Sequence, residues 1–198
     1  MSAQPDMKRH RWTEAEYLAF ERAAETKHEL HNGEIYDMAG ASRQHNIIVH
    51  NASRVLGNQL VKRPCEIYAN DMRVRASGKL YAYPDIVVVC GEPQFADDQF
   101  DILLNPTVLI EVTSPSTMAY DKSGKFDEYI KLKSLQSYLL ISQDKVRVDF
   151  FHRQDSGLWL TGFVTDIAHV LELPAINCTL SLSDIYEKVE FESDPDER

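Results

Sequence analysis

The sequence predicts an α/β (α+β) chain: a mixed central β-sheet flanked by helices. Three observations carry this. Short runs of β-branched residues such as Ile86-Val87-Val88-Val89 and Leu109-Ile110-Glu111-Val112-Thr113 read as buried strands. Segments with helical spacing interrupt them. The 198 residues, 43% hydrophobic and 26% charged, suffice for one globular domain with a real core. The expected organisation is a single domain over 1–198, with a flexible arm at 1–12 and an acidic tail at 187–198.

In chain order, Thr13-Glu14-Ala15-Glu16 is a capping box that opens a short helix through about Thr26. His28–His31 and Glu34–Met38 are strand-like, and Asn32-Gly33 between them signals a type I′ hairpin. Ser42 can cap a longer helix, roughly His45 to Val61, whose residues Ile48, Ala52, Val55, Leu56 and Leu60 recur at helical spacing. Strands are expected at Glu66–Ala69 and Met72–Arg75, then at the run after Asp85. Residues 91–106 read as an acidic loop bounded by Pro93 and Pro106. The Glu111 strand follows, then a Pro115 loop and a helix from about Asp121 to Leu135. Further strands are expected at Tyr138–Ser142, Lys145–His152 and Leu158–Phe163, with Gln154-Asp155-Ser156-Gly157 as a hairpin turn.

Composition narrows the function. No apolar run approaches the roughly 20 residues of a membrane span, and Met1 to Trp12 has no apolar core of a signal peptide. A cytoplasmic protein is expected. Cys65, Cys90 and Cys178 fit no zinc spacing and read as reduced, packed thiols. The net charge of −10 argues against gripping nucleic acid by bulk electrostatics. Much of that charge is local: Asp184–Arg198 holds seven acids and two bases, and Glu92–Asp101 holds four acids.

The chemistry-bearing residues are Asp85 and Glu111. Each lies at the edge of a strongly apolar strand, where an unpaired charge is expensive. Two such acids can be held in one sheet if they share a divalent cation. Glu111 and Thr113 share a strand face, and Ile110 and Val112 take the other. Asp121, Lys125 and Tyr129 are spaced i, i+4, i+8 on the following helix, so Lys125 can aim back at the acids. Two acids, a lysine and bound Mg²⁺ (or Mn²⁺) suit metal-assisted phosphodiester hydrolysis. Glu34 is a further candidate, orienting a water or a second metal, or else an exposed strand carboxylate. Asp71 completes the acidic cluster or serves a turn. His45 is expected near the site at a helix start, and His28 and His31 at the surface.

The ordered set resembles the Uma2 family of endonucleases, within the PD-(D/E)xK restriction-endonuclease-like superfamily. It comprises His28-Glu29-Leu30-His31-Asn32-Gly33-Glu34-Ile35, Ser42, His45, Asp71-Met72-Arg73-Val74, Tyr83-Pro84-Asp85, Glu111 through Thr117, Asp121, Lys125, Tyr129, Leu173-Pro174, and Leu182 through Tyr186. The resemblance implies Asp85 and Glu111 as metal ligands and a lysine displaced from the usual strand position, here Thr113, onto the helix. In that family context the leading reading is a Mg²⁺-dependent nuclease acting on DNA, and a homodimer is expected because cutting both strands calls for two sites and oligomers are mostly two-fold. The alternative is a catalytically silent, dimeric nucleic-acid-binding or interaction module with the same fold. A third class is a metal hydrolase acting on a smaller phosphoester.

Overall fold

The computed structural model describes residues 10–38 and 40–191. Most of the expected arm and the end of the acidic tail therefore lie outside the described residues. The helix α1 (Glu14–Glu21) opens on its capping box: Thr13 accepts from the Glu16 N–H, and the Glu16 carboxylate accepts from the Thr13 N–H at 2.8 Å. Strands β1 (His28–His31) and β2 (Glu34–Asp37) form the expected two-residue hairpin, with φ of 51° at Asn32 and 81° at Gly33. Positive φ at both positions is what a type I′ turn requires. Trp12 donates its N–H to the Gly33 carbonyl at 2.8 Å, so the last residues of the expected arm are fastened to this turn.

Helix α2 (Arg43–Leu60) is capped by Ser42, which accepts from the His45 N–H. Its buried residues Ile48, Ala52, Leu56 and Leu60 are the stripe read from the sequence. Then come β3 (Cys65–Ala69), β4 (Arg73–Ser77), β5 (Leu80–Ala82), β6 (Ile86–Cys90), β7 (Ile102–Leu103) and β8 (Val108–Thr113). A π-helical turn (Tyr120–Lys125) leads into α3 (Phe126–Tyr129), followed by β9 (Ser137–Ser142), β10 (Val148–Arg153) and β11 (Trp159–Val164). The strands β12 (Val170–Leu173) and β13 (Cys178–Ser181) form a hairpin before α4 (Leu182–Ile185).

A six-stranded sheet, β11-β10-β9-β8-β6-β3, forms the centre, and a five-stranded sheet, β2-β1-β5-β4-β7, flanks it. Both are mixed: β8–β9 and β4–β7 are parallel, and the other pairings are antiparallel. Alternation along the central strands feeds two cores. Ile86, Val88 and Ile110 pack with Ile48 and Leu56 of α2. Val87, Val89 and Leu109 pack with Tyr129 and Leu140 on the other side. The mixed sheet flanked by helices matches the expected fold class.

Four expectations need correction. The loop expected over 91–106 contains the short strand β7, which pairs with β4 in the small sheet. The helix expected to reach Leu135 ends near Ile130, because Arg153 reaches across from β10 and donates to the carbonyls of Ile130, Leu132 and Leu135 at 2.8–2.9 Å. Those donors satisfy carbonyls that a longer helix would have used. Cys65 and Cys90 are not free thiols. The antiparallel register of β3 and β6 sets them opposite each other, and they form a disulfide, leaving Cys178 free and buried. His28 and His31 are buried: His28 contacts Glu21 at 2.9 Å, and His31 contacts the Tyr120 hydroxyl at 3.0 Å.

Candidate active site

Asp85 precedes β6 by one residue. The register pairs Ile86 with Ile110, so the next step along the two strands sets Asp85 beside Glu111. The backbone N–H of Val112 donates to Asp85 Oδ2 at 2.7 Å, and His45 Nε2 lies 3.1 Å from Oδ1. Asp85 is thus fixed by the main chain of β8 and by the first turn of α2.

Glu111 projects to the opposite side of β8 from Ile110 and Val112, towards the π-helical turn. There Lys125 Nζ lies 3.2 Å from Glu111 Oε1, 2.9 Å from Glu29 Oε1 and 3.4 Å from Asp121 Oδ1. The Tyr129 hydroxyl donates to Glu111 Oε1 at 3.3 Å. Glu29 also accepts the Tyr83 N–H at 3.1 Å, from the residue that follows β5, the neighbour of β1 in the small sheet. The turn holding Lys125 depends on Gly124, where a Cβ would come within 2.9 Å of the Tyr120 ring.

These groups line one pocket of about 350 Å³, with Asp85, Glu111, Glu29, Asp121, Lys125 and His45 on its walls. Burial raises the Glu111 pKa well above that of an ordinary carboxylate. Lys125 opposes this, and Asp121, Asp85 and Glu29 add to it. Burial likewise raises Asp121 against the pull of Lys125. Burial would lower Lys125, but Glu111, Glu29 and Asp121 outweigh it and hold the ammonium well above an ordinary lysine. The pocket therefore sets one charged lysine among Glu29, Asp85, Glu111 and Asp121, and burial biases two of these acids, Glu111 and Asp121, towards the protonated form.

The model of the Uma2 family, described as "Putative restriction endonuclease", matches residues 14–183. The chain belongs to the Uma2 family. Two uncharacterised proteins of Synechocystis sp. are similar to this Uma2 chain. One is 36% identical over 177 residues, covering 89% of this chain and 92% of its own length. The other is 40% identical over 149 residues, covering 75% and 84%. A crystal structure described as "a putative nuclease belonging to DUF820" from Anabaena variabilis superposes with a TM-score of 0.73 at 18% identity, over 90% of this chain and 99% of that one. That likeness shows the shared fold.

Of the four candidates read from the sequence of this Uma2 chain, Asp85, Glu111 and Lys125 meet in one pocket. Glu34 does not line it; its carboxylate accepts from the Tyr36 hydroxyl at 2.9 Å on the small sheet. Asp71 is exposed and ion-paired with Lys27. Lys122 does not line the pocket and pairs instead with the buried Asp149, at 2.8 Å. Glu29 was missed as a site residue. Its signal was a carboxylate within a strand that is buried along its whole length.

Proposed function

We propose that this Uma2 chain is a divalent-metal-dependent endonuclease that hydrolyses phosphodiester bonds of DNA. The observation that carries the reading is the Lys125–Glu111 contact on the wall of a pocket that Asp85 also lines. Hard oxygen donors in excess over local positive charge fit Mg²⁺ or Mn²⁺. Among the described residues no group of three or more His, Cys, Asp or Glu forms a preassembled cage. Mg²⁺ does not need one, because it is commonly held by one or two carboxylates and keeps several waters. Asp85 and Glu111 would hold the ion. When bound, it supplies charge neutralisation at the phosphate and a water acidified towards neutral pH.

The chain's own residues do the rest. Val112 and His45 orient Asp85, while Tyr129 and Lys125 orient Glu111. The ammonium of Lys125, kept charged by its three acids, places positive charge where a phosphate gains negative charge in the transition state. Glu29 and Asp121 hold that ammonium in place.

Incubating the pure protein with DNA and Mg²⁺ or Mn²⁺ tests the reading. Cleavage lost in both Asp85→Ala and Glu111→Ala supports it, and cleavage unchanged in both rejects it. Thr113 favours a second reading, the silent dimeric nucleic-acid-binding or interaction module. Its side chain is buried against Met118, with Oγ1 donating to Sδ at 3.7 Å, and it offers no ammonium at the strand position. That reading expects no cleavage and no metal heat signal in calorimetry. A homodimer belongs to the same reading, since soluble oligomers are mostly two-fold.

A further inference from the structure

The carboxylate pocket opens into a second, larger groove of about 700 Å³, and the two share Met38, His45, Asp85, Val112 and Thr117 as walls. The groove runs past the N-terminal turn of α2 and the loop after β8. Its polar lining is mostly neutral, Ser42, Asn46, Asn70, Ser114 and Gln143 among it, with Glu25, Lys27 and Asp85 as the charged members. Among the described residues, the lysines that line the groove and the pocket are already engaged: Lys27 pairs with Asp71, and Lys125 serves its three acids. A duplex held by its phosphates needs several uncommitted lysines or arginines.

The rim of the pocket provides a different kind of contact. Tyr36 and Met38 remain 43% and 37% exposed at the end of the β1–β2 hairpin, although both line the pocket. The Tyr36 ring lies 6.0 Å from that of Tyr120, which in turn lies 5.5 Å from the His31 ring. An accessible aromatic ring beside a groove of hydroxyls and amides suits unstacked bases, which bind by stacking and by hydrogen bonds along their edges. A duplex keeps those faces stacked inside.

We infer that this site takes single-stranded DNA in preference to duplex, with a base stacked on Tyr36 and the adjoining backbone lying along the neutral groove towards Asp85 and Glu111. The inference rests on the nuclease reading for the position of the scissile phosphate, but its binding claim is tested separately. A short backbone segment can bend into the pocket once its bases are splayed, and Tyr36 holds the first of them. Because so few cations contribute, binding weakens only shallowly with salt.

The test is fluorescence anisotropy with a labelled single-stranded oligodeoxynucleotide and with its duplex. Both are titrated in Ca²⁺, a hard cation that the same oxygens accept. The expected result is single-strand binding at least tenfold tighter than duplex binding. A weakening of about tenfold is expected in Tyr36→Ala, the scale of one lost stacking contact, with near-parental binding in Tyr36→Phe. Duplex binding as tight as single-strand binding, no binding of either, or an unaffected Tyr36→Ala protein overturns the inference. Cleavage in Mg²⁺ by the parent and by Glu111→Ala reports on the nuclease reading, and the preference between single strand and duplex reports on this one. Duplex cleavage without single-strand preference leaves that reading standing and removes this one. Single-strand binding without cleavage does the reverse.

Discussion

Lys125 and Glu111, fourteen residues apart in the chain, meet at 3.2 Å with both side chains 7% exposed. A lysine supplied from the π-helical turn thus reaches the acid of a central strand. Glu29 and Asp121 share the same ammonium, so the contact is the hub of a buried charge network.

Removing the hub leaves buried acids without their counter-charge. Lys125→Met is expected to cost about 3–5 kcal/mol at neutral pH, the scale of breaking a buried ion pair from one side. The loss shrinks in acid, where Glu111 and Asp121 take up protons and the unpaired charge disappears. The double variant Lys125→Met/Glu111→Gln recovers part of it. Urea unfolding of the three proteins checks this, and a Lys125→Met protein as stable as its parent would reject the network as described.

Asp149 gives a pH signature away from the pocket. Burial works to raise its pKa, but hydrogen bonds from Arg147 and Lys122 win and hold it below the usual carboxylate value. A folded pKa below the unfolded one means that folding favours the ionised form. The contribution is complete above about pH 4 and fades as the pH falls through the folded value. The stability gap between the parent and Asp149→Asn should therefore be constant near neutrality and narrow in stronger acid. A gap that stays constant down to pH 2 would contradict the assignment.

The Cys65–Cys90 bridge closes a loop with a sequence separation of 25. Reduction, or Cys65→Ser with Cys90→Ser, should lower stability by about 3 kcal/mol through the freed unfolded chain. Unfolding midpoints with and without reductant measure it, and equal midpoints would show that the bridge does not form in solution.

Gly33 occupies φ of +81°, and a Cβ there would come within 3.3 Å of Arg11 Cβ. Gly33→Ala should cost about 1–2 kcal/mol from the left-handed backbone. It should also loosen the Trp12 contact, read as faster amide exchange at Trp12. Unchanged stability and unchanged exchange would argue against the turn.

Local signals were legible in the sequence where the physics is local. The Thr13–Glu16 capping box, the Asn32-Gly33 turn and the apolar stripe of α2 each depend on residues a few positions apart, and each has the expected form. Asp85 and Glu111 stood out because a carboxylate beside an Ile-Val-Val run requires a partner. Glu29 did not stand out, because its partner Lys125 lies 96 residues on. The burial of His28 and His31 depends in the same way on Glu21 and on the distant Tyr120. The Cys65–Cys90 pairing follows from strand register, which no single segment encodes. The π-helical turn escaped notice because its spacing imitates an ordinary helix until Tyr120 is laid against Gly124.

The donor that fixes Asp85 Oδ2 is the main chain of Val112 rather than a side chain. Every amino acid except proline carries that N–H. Position 112 can therefore drift through any residue the core accepts, and the aim of Asp85 survives the change. Mutational scanning would then record 112 as a tolerant packing position with one sharp exception, proline, whose penalty would appear at the pocket as well as in the sheet.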